Sequence, residues 1–110
     1  EGVAKGKITL PQLVKYLCTN PSRMYGLYPR KGTILPGSDA DLVILDPEKE
    51  RILTSEDMHG ASDYTCYEGW KVKGEIELVM QRGNILVKDN HFLGKKGDGQ
   101  YLKRGASALI

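Results

Sequence analysis

The sequence predicts an α+β fragment: a capped helical stretch followed by short strands that do not add up to a closed, self-sufficient sheet. Three observations carry this. Thr9 and Gln12 frame a capping box ahead of apolar residues at helical spacing. Leu42, Val43, Ile44 and Leu45 run on without alternation, the pattern of a strand covered on both faces. The segments 76–81 and 85–88 flank Arg82-Gly83-Asn84 as the arms of a hairpin. A strand covered on both faces needs two neighbours and two covering layers. A chain of 110 residues with this pattern supplies too little of either, so it is expected to be part of a larger protein. A first residue of Glu1 rather than Met agrees with a processed or excised piece.

The elements follow in order. Residues 9–17 read as a helix: Pro11 sits in the first turn, where its missing N–H does no harm, and Leu10, Leu13, Val14, Leu17 and Cys18 fall on one face expected to be buried. Asn20 offers a second N-cap and Pro21 a first helical position, so a second short helix over 22–25 is expected to meet the first at a bend and to end at Gly26 in the left-handed region. After Gly26 the signals change to turns and strands, punctuated by Pro29, Gly32, Pro36, Gly37 and Pro47. Pro47 is expected to stop the Leu42–Leu45 strand. A short strand at 51–54 and a small helix begun by Ser55, Glu56 and Asp57 near Met58 come next. Trp70 and Val72 lead into the hairpin, and Asp89-Asn90 makes the following turn. Residues 94–105 hold four glycines among charged residues and read as a solvated tail whose apolar anchors are Tyr101 and Leu102.

Composition bounds the function. With 40% hydrophobic and 27% charged residues the chain is ordinary globular material, and 16 basic against 14 acidic side chains, interspersed, call for no nucleic acid. No stretch approaches the roughly 20 apolar residues of a membrane span, and no signal segment opens the chain. Cys18 and Cys66 lie in apolar or aromatic contexts and read as reduced, partly buried thiols of a cytoplasmic protein.

The residue types that usually carry chemistry are sparse. His59 and His91 have no partner at ligand spacing, since there is no HxH, no HExxH and no cysteine pair. Asp39 and Asp41, two apart on an extended segment, can face one way as a metal or acid–base pair, or can end a strand and cap a turn. Gly37-Ser38-Asp39 and Gly97-Asp98-Gly99 lack the strand, helix and lysine of a phosphate cradle. No serine has a nucleophile-elbow context, and Cys18 reads as packing. Tyr64, Tyr67 and Trp70 read as a docking cluster, as do Tyr16, Tyr25 and Tyr28, because amphipathic rings pack layers or subunits while keeping a polar tip wet. No residue is assigned a catalytic, substrate-binding or metal role.

The segments TNPSRMYGLYPRKGTILPGSDADLVILDP, YEGWKVKG, VMQRGNILVKDN and GDGQYLKR, in that order, resemble the carboxyl-terminal part of dihydropyrimidinases and D-hydantoinases, of the cyclic amidohydrolase branch of the amidohydrolase superfamily. The GSDADLVILDP element indicates the superfamily; YPRKG with YEGWKVKG and GDGQYLKR points to the narrower group. This resemblance implies that residues 1–30 are terminal outer helices of a (β/α)8 TIM barrel, that 31–93 form part of a composite β-sandwich, and that 94–110 are an extended tail. It implies hydrolytic opening of the cyclic amide of 5,6-dihydropyrimidines or hydantoins, with two zinc ions held by histidines, an aspartate and a carboxylated lysine. All of those ligands are expected before Glu1, so this chain is expected to be structural, to bind no zinc itself and to be inactive alone. The implied partners are the amino-terminal remainder of the same protein, a small cyclic amide substrate and further copies in a homotetramer. Two other readings stay open: a non-catalytic collapsin-response-mediator-like interaction protein, which the short ending after Arg104 disfavours, and an independent β-rich binding module.

Overall fold

The computed structural model describes residues 2–58 and 60–108. The capping box forms as the sequence predicts: Thr9 N–H donates to Gln12 Oε1 at 2.8 Å and Gln12 N–H to Thr9 Oγ1 at 3.3 Å. From this cap run α1 (Leu10–Val14), a π-helical turn (Lys15–Thr19) and α2 (Asn20–Met24). They form one continuous helix, not two meeting at a bend. Asn20 has helical dihedrals (φ −64, ψ −50) and its N–H reaches back five residues to Lys15 O. The physical reason is Pro21, which has no N–H and whose ring collides with the carbonyl four residues before it. A widened π turn accommodates the proline inside the helix. Gly26 then ends the helical run at φ 65, in the left-handed region as expected.

Four strands make one antiparallel sheet in the order β1-β2-β3-β4: β1 (Leu42–Ile52), β2 (Lys71–Gln81), β3 (Asn84–Lys88) and β4 (His91–Phe92). The predicted hairpin is β2–β3, closed by Arg82 (φ 46) and Gly83 (φ 82), whose paired positive φ values match the strand twist. Asp89 and Asn90 (φ 49 and 62) make a second turn of the same kind into β4. Pro47 does not stop β1. The strand crosses it through an irregularity between Asp46 and Glu50, resumes pairing as Glu50↔Lys73, and absorbs Arg51 and Ile52 of the short strand expected at 51–54. Asp46 Oδ1 accepts the N–H groups of Glu48 (2.9 Å) and Lys49 (3.3 Å), replacing ladder bonds the bulge removes. Between β1 and β2 the chain makes a 3-10 turn at Ser55–Asp57 and returns, with Leu53 and Trp70 bonded N–H to O at 2.9 Å.

The expected burial is not met within the described residues. No hydrophobic side chain among them is buried, and the strand predicted to be covered on both faces leaves Val43 59% and Ile44 51% exposed. The helix face predicted to be buried behaves alike, with Val14 50% and Leu17 68% exposed. The reason is geometric: a single sheet and one helix provide no second layer for either. Among the described residues neither helical segment packs directly on a strand. A groove of about 910 Å³ runs between them, lined by Val14, Cys18, Ile34, Leu42, Val79 and Leu86 among others.

Candidate functional site

The densest polar arrangement is built where the chain passes from helix to sheet. Residues 25–33 fold back on the helix: Leu27 and Tyr28 N–H donate to Ser22 O at 2.8 and 3.1 Å, and Thr19 Oγ1 donates to Gly32 O at 3.0 Å. Ser22, 6% exposed, is buried, and its hydroxyl donates to Thr19 O at 2.8 Å. Gly32 (φ 79) is required there: a Cβ would fall 2.1 Å from Ser22 Oγ and 2.7 Å from Cys18 O. The segment then presents Arg30 and Lys31 to Asp39 and Asp41.

Asp39 Oδ2 meets Lys31 Nζ at 2.9 Å and Arg30 Nε at 3.0 Å, while Asp41 Oδ2 accepts from Lys31 Nζ. The other oxygen of Asp41 accepts Arg82 N–H at 2.8 Å, and Gly83 N–H donates to Ala40 O at 3.0 Å, so the β2–β3 turn is fastened to the start of β1. Burial pulls the Lys31 pKa down, but hydrogen bonds to Asp41 and Asp39 outweigh it and the net shift is upward. The hydrogen bond from Lys31, helped by Arg30, holds the Asp39 carboxyl below the usual carboxylate range. Lys31 and Asp39 each favour the other's charged form. Of the two roles open to Asp39 and Asp41, the geometry favours turn and strand-end fastening: Asp39 Oδ2 and both oxygens of Asp41 face cations or a backbone N–H.

The remaining candidates fall apart in space. His59 lies outside the described residues. His91 is exposed in β4, its Nδ1 2.8 Å from Asp89 O. Cys18 and Cys66 are free thiols, and both are exposed rather than partly buried, because the faces that carry them have no cover here. Of the docking cluster, Tyr67 and Trp70 meet edge to face at 5.4 Å between centroids; Tyr64 stands 77% exposed. Tyr28 instead receives the Arg23 guanidinium over its ring at 4.8 Å. Among the described residues no three His, Cys, Asp or Glu side chains converge as a metal centre, and no helix is long and apolar enough to cross a membrane. No chemical step is assigned to the described residues. Sequence reasoning missed Lys31 as the hub, since its partners lie eight and ten positions on and only the intervening turn brings them together.

What class of protein this chain comes from is shown by its sequence as a whole, not by this helix, sheet and turn. The chain belongs to the amidohydrolase family, which matches residues 2–86. Within that class the similarity is to hydantoinases and dihydropyrimidinases. The chain is 52% identical over 104 residues to the D-hydantoinase of Geobacillus stearothermophilus, covering 94% of this chain and 22% of that protein. It superposes on the crystal structure of D-hydantoinase from a Bacillus species with a TM-score of 0.93 at 44% identity, covering 99% of this chain and 24% of that one. The dihydropyrimidinase of Brevibacillus agri gives a TM-score of 0.93 at 41% identity with the same coverage of 99% and 24%. The chain thus spans less than a quarter of the length of these relatives. The resemblance drawn from the YPRKG, YEGWKVKG and GDGQYLKR segments holds.

Proposed function

We propose that this chain is the carboxyl-terminal part of a cytoplasmic, zinc-dependent cyclic amidohydrolase that opens the ring amide of hydantoins or 5,6-dihydropyrimidines. The observation that carries the reading is the 52% identity to a D-hydantoinase over 104 residues, nearly the full chain. In this reading 1–30 close the outside of a TIM barrel, 31–93 complete a β-sandwich with strands from elsewhere in the polypeptide, and 94–110 form the tail. The amino-terminal remainder covers the helix face and the sheet, and copies of the whole protein assemble as a homotetramer. Two zinc ions and a carboxylated lysine belong to that remainder; bound there, the metals would activate water and polarise the ring carbonyl. The role of the present residues is mechanical. The Lys31, Asp39, Asp41 and Arg82 node fixes the sheet to the segment leaving the helix, which sets where the two parts of the enzyme meet.

Incubating the complete polypeptide, with its metal content measured, with hydantoin and with 5,6-dihydrouracil tests this. Ring opening of at least one, lost on chelation, is expected. A metal-free protein inert on both would remove the reading in favour of a non-catalytic relative.

A further inference from the structure

The tail does more than trail into solvent. Tyr101, expected as an apolar anchor, is 91% exposed, so it holds nothing here. Polar contacts hold the tail instead. Near its start Lys95 N–H donates to Asp98 Oδ2 at 2.7 Å, and Arg82 Nη2 donates to Asp98 O, tying this stretch to the β2–β3 turn. At its far end Gly105 N–H donates to Gly26 O at 2.8 Å and Ala108 N–H to Arg23 O at 3.0 Å. Gly26 O, just past the helix end, takes its donor from the tail, while Arg23 O, which already accepts Gly26 N–H at 3.1 Å, takes a second. The approach requires glycine: a Cβ on Gly26 would lie 2.3 Å from Gly105 O, 2.7 Å from its carbonyl carbon and 3.0 Å from Ala106 O. Gly26 also sits at φ 65, so the residue that ends the helix is the residue that admits the tail.

From this geometry we infer that residues 105–108 are a clasp on the C-terminal end of the helix, and that the tail is a brace joining helix to sheet. The two otherwise share no direct element-to-element packing among the described residues, and the covalent path between them runs only through 25–41. The tail closes a second path, from the β2–β3 turn at Asp98 back to Arg23 and Gly26. The two clasp bonds form one cooperative unit. Opening it frees the 25–33 segment to move relative to the sheet. The inference does not depend on the catalytic reading.

Amide hydrogen exchange on the complete polypeptide tests it through Ala108→Pro at an exposed tail position, where the ring CH2 replaces the amide hydrogen and cannot lie against Arg23 O, so that this clasp bond must open. Loss of one net hydrogen bond should speed exchange of the other clasp amide, Gly105, by about fivefold, and speed exchange across residues 27–31 in the same direction. Gly26→Ala should release both clasp amides and serves as the second variant. Ala108 lies outside the helix, so Ala108→Pro leaves the donors and acceptors within the helix in place, and it decides. A change at Gly105 of less than about twofold overturns the clasp, and a faster Gly105 with unchanged residues 27–31 overturns the brace.

Discussion

At the scale of the residue, Lys31 settles how this region behaves. One ammonium group between two carboxylates neutralises what would otherwise be a like-charged pair beginning a strand. The sign of its pH dependence follows. Asp39 titrates below its ordinary 3.8 when folded, so its contribution to stability is full above that value and is lost as pH falls through the lowered one. Lys31 titrates above its ordinary 10.5, so its share is full below 10.5 and is lost only as pH rises through the raised value. Asp39→Asn is expected to be less stable than the parent near neutrality, and the gap should close as pH drops below 3.8, in thermal melts run across the acid range. A gap independent of pH would place the effect of Asp39 in packing. The acidic pair and its strand-ending role were legible in sequence, but its partner Lys31 was not. A carboxylate's function depends on which cation a turn delivers to it, and that turn has no local signature.

At the scale of the element, local chemistry was legible wherever partners lie within a few residues. The Thr9–Gln12 capping box, the Gly26 cap, the Arg82-Gly83 turn and the Ser55–Asp57 turn form where their signals stand. Proline misled twice. Pro21 and Pro47 carry the signal of a boundary, yet the helix passes one by widening to a π turn and β1 passes the other through a bulge. Both cases share a cause: a missing N–H ends an element only when the backbone has no other way to satisfy or relieve its neighbours. Asp46 is the means at Pro47. Asp46→Ala should therefore cost about 1 kcal/mol of local stability, seen as faster exchange of the Glu48 and Lys49 amides with the β2–β3 hairpin unaffected. Unaltered exchange at both amides would show that the bulge stands without its side-chain acceptor.

At the scale of the whole molecule, the sequence and the structure disagree on burial, and the disagreement is informative. The run Leu42–Leu45 and the helix face from Leu10 to Cys18 are patterned for cover, and within the described residues that cover is missing. Pattern in a sequence records the environment in which a segment works, and a chain spanning less than a quarter of its relatives need not contain that environment. Both β1 and β4 are sheet edges as well, with unpaired N–H and C=O groups beside exposed apolar side chains. Apolar surface of this extent is rarely left to water by a protein that works alone. The account therefore turns on whether these faces need a partner. Sedimentation of the isolated 110-residue chain measures this directly: the account predicts self-association through the open sheet and helix face, whereas a monodisperse monomer that unfolds cooperatively would contradict it.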